Sequence, residues 1–98
     1  MIRYTVVWDL ELQERLAEAW LTADSEVRKV LTEAANWIDI NLAQDAETIG
    51  QPIGEFVVRV VAVPITSTSA VVSATFQVSE DDRQVRLLRL TFRRADVD

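Results

Sequence analysis

Apolar and polar residues alternate along the chain in a way that predicts one strand, two helices and three further strands. Residues 2–8 alternate and are rich in β-branched and aromatic types, which is typical of a strand. Leu12, Leu16 and Trp20 recur every four residues, so a first helix is predicted over about 10–21. Asp9 stands where the N-cap of this helix belongs.

The second helix is predicted over about 25–43, with Asp24 or Ser25 as its cap. Its apolar positions follow the three- and four-residue spacing of one helix face: Val27, Val30, Leu31, Ala34, Ile38 and Leu42. The link between the two helices is short, which favours an antiparallel hairpin. Residues 44–54 hold both glycines and one proline, and are expected to form a loop.

Three β-prone segments follow, over residues 55–63, 70–78 and 84–92. Pro64 with a Ser/Thr-rich connector ends the first, and the acidic turn 80–82 ends the second. Residues 95–98 are expected to fray. The order β-α-α-β-β-β predicts an α+β fold, with an antiparallel sheet and the helical hairpin packed on one face. The whole chain, 1–98, is expected to form a single domain.

Strand alternation assigns residues to the two faces of the sheet. The hairpin is expected to cover the more apolar face, and the three tryptophans are expected near the helix–sheet contact as core aromatics. The core residues named by this prediction are Ile2, Tyr4, Val58, Val60, Phe76, Leu88 and Leu90, with Trp8, Trp20 and Trp37 beside them.

The opposite face is predicted to be polar and cationic. It would collect Arg3, Thr5, Arg59, Ser73, Thr75, Gln77, Arg89, Thr91 and Arg93, with no carboxylate among them. Guanidinium groups present paired donors that suit phosphate or carboxylate. The alternative is an ordinary solvated sheet face, and the sequence leaves both open. A bulge in any strand would exchange the faces and disperse this cluster.

Composition restricts the chemistry that the chain can perform. It has no Cys and no His, which excludes disulfides, thiol nucleophiles, Cys/His zinc sites and imidazole acid–base catalysis. No catalytic residue, metal or cofactor is predicted. The longest apolar run is four residues, too short for a membrane helix, and no secretory signal is visible. The net charge is −6, which disfavours binding to nucleic acid at long range.

Several segments together resemble the RelE/ParE superfamily of toxins from toxin–antitoxin systems, whose members share the β-α-α-β-β-β order. Residues 4–8 lead into a charged helix, and residues 38–45 end the second helix before Gly50. The C-terminal part is the most similar. It comprises Ser73-Ala74-Thr75-Phe76-Gln77-Val78, the acidic turn, Gln84-Val85-Arg86-Leu87-Leu88-Arg89-Leu90, and the closing Arg93-Arg94.

The resemblance implies that messenger RNA cleavage, where it occurs in the family, uses basic and aromatic side chains on the exposed sheet face and near the C-terminus. This chain departs from that pattern at three positions. Ser73 and Gln77 stand where basic residues are usual, and Phe92 stands near the usual His or Tyr. Arg59 and Arg89 remain candidate phosphate contacts. ParE-type members act on DNA gyrase through protein contacts and need no catalytic group.

These departures favour a toxin-type domain that binds protein, or one that keeps the fold without the toxicity. One alternative is a weak ribosome-dependent endoribonuclease, and another is a small binding or structural protein of the same fold. The expected partner is a cognate antitoxin-like protein, with a gyrase-type or ribosomal target in the cytoplasm. A homodimer is an alternative assembly. The candidate phosphate- or partner-binding residues are Arg59, Arg89, Arg93, Arg3 and Gln77.

Overall fold

The computed structural model describes residues 3–53, 58–66 and 70–93. In these ranges the chain forms two helices and one sheet. The elements are β1 (Thr5–Trp8), α1 (Leu10–Thr22), α2 (Ser25–Asp45), β2 (Gln51–Pro52), β3 (Val58–Val63), β4 (Val71–Ser79) and β5 (Gln84–Arg93). The predicted α+β class is confirmed, as are both helices. Ile2 and the predicted frayed tail lie outside the described residues.

The five strands form one sheet in the order β1-β5-β4-β3-β2. β3, β4 and β5 make the antiparallel meander that the sequence predicts. β1 returns to the far edge and runs parallel to β5, with Val6 opposite Val85, so the sheet is mixed. The two-residue β2 lies within the segment expected to be a loop and pairs with β3 at the other edge.

α2 supplies most of the helical contribution to the core. Its fully buried residues are spaced by four, as the sequence predicts: Val30, Ala34, Ile38 and Leu42. Asp24 is the N-cap of this helix, and its carboxylate accepts a hydrogen bond from Val27 N at 2.9 Å. At its C-terminal end, Ala43 O accepts a 2.8 Å hydrogen bond from Tyr4 N, which ties the helix to the start of β1.

α1 packs more lightly than α2. Leu12 is its buried residue, and Leu16 packs partly against the core. Trp20 is 40% exposed, so the expectation that it is a core aromatic is wrong. Trp8 and Trp37 do pack against the core, and Trp8 Nε1 donates to Asp39 Oδ1 at 3.0 Å.

β4 lies at the centre of the sheet and sends alternate side chains under the helices. Phe76 is fully buried there, opposite the equally buried Leu87 of β5. Tyr4 is also in the core, and Leu90 packs against the core, as predicted. No helix among the described residues is long and apolar enough to cross a membrane.

Besides Trp20, three of the predicted core residues are not in the core. The β3–β4 register places Val61 and Val63 on the helix side, so Val58 and Val60 face away. Both faces of β3 are equally rich in valine, and alternation alone therefore cannot choose between them. Leu88 is the third, because the β4–β5 register shifts at this residue and leaves it 38% exposed.

Replacing Ile38 by Ala should destabilise the protein by about 2–5 kcal/mol, because a fully buried side chain leaves a cavity when truncated. Ile40, two residues along α2, is 61% exposed and is the matched control. Its replacement by Ala should change the free energy of unfolding by about 0.5 kcal/mol or less. Urea denaturation of both variants measures the difference. Equal losses would contradict the orientation of α2.

Replacing Gly50 by Ala should cost about 1–3 kcal/mol. Gly50 has a φ of 79°, and a Cβ built there would lie 2.4 Å from Val60 O. Both the backbone conformation and the approach to β3 therefore require glycine. The free energy of unfolding in urea checks this, and a variant as stable as the parent chain would show that the turn relaxes without cost.

Candidate functional site

The sheet face turned away from the helices, called here the outer face, carries a row of arginines along β5. Arg86 lies opposite Gln77 of β4, Arg89 opposite Thr75, and Arg93 opposite Val71. All three arginines are exposed. Their partners alternate with the buried residues of β4, which places the row on the outer face.

A β-bulge keeps the arginines in this row. Phe76 pairs with Leu87, whereas the next residue of β4, Thr75, pairs with Arg89, so Leu88 is the extra residue. Without the bulge, Arg86 and Arg89 would fall on opposite faces, because they are three residues apart. The sequence prediction placed Arg89 and Arg93 correctly on the outer face but did not include Arg86 in the set.

Arg59 does not belong to this face, so its predicted place beside Arg89 and Arg93 is wrong. It lies opposite Phe76 in the register and therefore points to the helix side. Its Nε donates to Ile49 O and its Nη2 to Gly50 O, both at 2.9 Å. The guanidinium thus satisfies two backbone carbonyl groups of the turn after α2. This structural role accounts for a cation on the inner side of the sheet.

The outer side of β3 is apolar. Val58, Val60 and Ala62 occupy it, in register with Gln77, Thr75 and Ser73 of β4. The two valines are half-buried and Ala62 is exposed. The sequence reading missed this apolar column because it assigned the valines to the core. Val61 and Val63 on the inner face have the same side chains as Val58 and Val60 on the outer face. The residue types of β3 therefore do not show which face the helices cover.

The two remaining candidate residues lie at the margins of the row. Gln77 is exposed on the outer face, between Val58 and Arg86. Arg3 is exposed and precedes β1 by two residues. Ser73, which stands where the resemblance leads one to expect a basic residue, also lies on the outer face, opposite Thr91.

Arg86 is partly neutralised by an acidic neighbour. Asp9, which follows β1, lies with its Oδ1 3.6 Å from Arg86 Nη1. Within the described ranges, neither Arg89 nor Arg93 forms an ion pair. The positive charge of the outer face is therefore concentrated toward the C-terminal end of β5.

A polar cavity of about 510 Å³ lies at the end of the sheet where β4 turns into β5. Arg59 lines it together with three carboxylates: Glu47, Glu80 and Asp81. Tyr4 Oη donates a hydrogen bond to Glu47 Oε1. This bond, with burial and the negative charge of Glu47, raises the pKa of Tyr4 to about 12. The phenol therefore stays neutral and structural near neutral pH.

An apolar groove of about 260 Å³ lies where α1, α2 and β5 meet. Two tryptophans line it, Trp8 and Trp20, together with Leu16, Leu31 and Leu90. At its edge the Arg28 guanidinium stacks 5.3 Å from the centre of the Trp20 ring, and Arg28 Nε donates to Trp20 O at 3.0 Å.

Among the described residues, no group of three or more acidic, His or Cys side chains is arranged to hold a metal ion. The outer face carries side chains suited to binding. Guanidinium groups donate hydrogen bonds to a partner's carboxylate or phosphate oxygens, and the valine column offers apolar contact. Comparisons with protein families, curated proteins and solved structures give no match for this chain.

Tyr4 is the single tyrosine of the chain, so the ultraviolet absorbance of tyrosinate reports its ionisation alone. The folded protein should titrate with a midpoint of about 12, against about 10 for a free tyrosine. Because the pKa is raised in the folded state, the stability that neutral Tyr4 contributes through its hydrogen bond to Glu47 is complete below about pH 10. It is lost as the pH rises toward 12.

Replacing Glu47 by Gln removes the negative charge and should move the midpoint back toward 10. The Asp45→Asn variant, which alters an exposed carboxylate at the end of α2, serves as the control. An unchanged midpoint in Glu47→Gln would show that Glu47 does not control Tyr4.

Proposed function

We propose that this chain is a toxin-type domain, similar to the RelE/ParE superfamily, that acts by binding protein rather than by cleaving RNA. Apart from the two-residue strand β2, the element order of the fold is the β-α-α-β-β-β order on which the resemblance depends, and this supports the proposal. The observation that carries it is the outer face. Exposed arginines on β5 and valines on β3 lie on a surface that no described helix covers.

The chemistry of this face favours binding over catalysis. Ser73 and Gln77 lie on it where basic residues would serve RNA cleavage. Its basic groups are arginines, which stay protonated at neutral pH and are therefore poor general bases. The proposed partner is an antitoxin-like protein, with a cytoplasmic target of the gyrase type.

The row formed by Arg86, Arg89 and Arg93 supports a second candidate, a weak ribosome-dependent endoribonuclease in which the arginines contact phosphates. The net charge of −6 opposes this role, since the ribosome is highly anionic. A binding role within an assembly unrelated to toxins is the third reading.

The discriminating experiment expresses the chain from an inducible promoter and measures cell growth together with primer extension on messenger RNA. The proposal expects growth arrest without cleavage of messenger RNA on translating ribosomes. Cleavage would favour the endoribonuclease. General acid–base catalysis raises the rate by about 10²–10⁴-fold, so its presence or absence is plain in such an assay. Unimpaired growth would contradict retained toxicity.

Replacing both Arg89 and Arg93 by Ala should relieve the growth arrest, because each charge-assisted hydrogen bond contributes about 1.5–3 kcal/mol to binding. Folding should be nearly unchanged, within about 0.5 kcal/mol for each site. The matched control is Arg15→Ala with Lys29→Ala, which removes the same charge from exposed positions on the helices. If both double variants behave alike, the outer face is not the active surface.

A further inference from the structure

The groove where α1, α2 and β5 meet has walls that are almost wholly apolar. Two tryptophan rings line it, Trp8 and Trp20, together with three leucines, Leu16, Leu31 and Leu90. The leucines and Trp8 are half-buried, whereas Trp20 stands more open to solvent. A concave apolar surface with aromatic walls and few polar groups is the usual form of a small-molecule site.

The size of the groove limits what can enter it. Its volume is about 260 Å³, whereas pockets for drug-sized ligands have about 300–1,000 Å³. An apolar cavity of about 150 Å³ is enough to hold one benzene ring. The groove therefore has room for a single aromatic ring with a short side chain. Its two indole walls favour an aromatic occupant, because stacked and edge-to-face ring pairs add to the gain from burial.

Cationic side chains stand at one end of the groove. A second cavity of about 550 Å³ adjoins it, since the two share three lining residues: Trp20, Thr32 and Asn36. Arg28 and Lys29 line this second cavity. They precede Thr32 by one turn of α2, or about 5 Å, on the same side of the helix. A group that leaves the groove at Thr32 therefore meets positive charge.

The two cations can receive an anion. Within the described ranges neither forms an ion pair. Arg28 is held by its stacking on Trp20 and by its bond to Trp20 O, which uses one of its five N–H donors. Lys29 is exposed. Glu33 also lines the second cavity, but its Oε2 accepts hydrogen bonds from Thr66 N and Oγ1, both at 2.7 Å.

From these observations we propose that the groove binds a small aromatic carboxylate, with its ring beside the two tryptophans and its carboxylate at Arg28 and Lys29. Guanidinium and ammonium groups donate charge-assisted hydrogen bonds to a carboxylate, so they favour it over a neutral or cationic molecule of the same shape. A stable protein contact covers about 800 Å² on each partner, more than a groove for one ring offers. This site is separate from the outer face and does not depend on the proposed function.

The test measures binding of phenylpropanoate to the full chain. Phenylpropanol and phenylpropylamine are the matched probes, with the same ring and a neutral or a cationic end. Tryptophan fluorescence follows each titration, because Trp8 and Trp20 line the groove. We expect saturable binding of phenylpropanoate with a Kd of about 1 mM or below. Binding should be at least about threefold weaker for the alcohol and at least about tenfold weaker for the amine.

Three variants separate the charge from the groove. Lys29→Gln should weaken binding of phenylpropanoate at least about twofold and leave phenylpropanol unchanged, because it removes only charge. Arg15→Gln removes an exposed cation of α1 and should leave both unchanged. Ala35 is half-buried in the wall of the groove, so Ala35→Phe should fill the groove and abolish binding of both probes. Far-ultraviolet circular dichroism checks that this variant folds.

Backbone amide shifts measured by NMR on the parent chain locate phenylpropanoate without any variant. Shifts around Leu31, Thr32 and Leu90 support the proposal, whereas shifts confined to β3 and β4 overturn it. Equal affinities for the three probes would overturn it too, because the cations would then have no part in binding. A chain that sediments as a dimer and binds no probe would show that a second copy covers the groove, which also contradicts the proposal.

Discussion

The central strand β4 fixes what both faces of the sheet carry. Phe76 is buried under the helices, and its registers with β3 and β5 determine which neighbouring side chains point inward. On one side it brings Arg59 to the inner face and the valines Val58 and Val60 to the outer face. On the other side it pairs with Leu87, and the bulge at Leu88 returns Arg89 to the outer face. The division of the outer face follows from these two registers.

Much of the fold is readable from the sequence because helix and strand periodicities differ clearly. The four-residue spacing of Val30, Ala34, Ile38 and Leu42 predicts α2 and its buried face correctly. The alternation in β4 predicts the inner position of Phe76. The parallel pairing of β1 with β5 is not readable in the same way, since it depends on how the helical hairpin returns the chain to the sheet.

The candidate site is only partly readable from the sequence. Arg89 and Arg93 lie on the outer face as predicted, whereas Arg59 lies on the inner one, where it binds the carbonyls of Ile49 and Gly50. The error arises because β3 is apolar at nearly every position, so a one-residue change of phase costs no hydrophobic burial. The bulge has no residue signature either, since Leu87 and Leu88 are the same residue type.

The inverted phase of β3 changes the function that the surface suggests. A uniformly cationic face would suit phosphate, whereas a face with arginines along one side and valines along the other suits an amphipathic protein segment. The hydrogen bonds of Arg59 to the turn after α2 also remove one cation from that face. The functional argument therefore depends on the orientation of a single strand.

That orientation is measurable directly, because the chain has no cysteine of its own. Ala62→Cys and Val63→Cys place a thiol on adjacent residues of β3, one exposed and one 4% exposed. The rate of reaction with a thiol reagent under native conditions compares them. The structure predicts fast modification at 62 and modification slowed by at least about 100-fold at 63, where opening of the core is required. Fast reaction at 63 with protection at 62 would contradict the account.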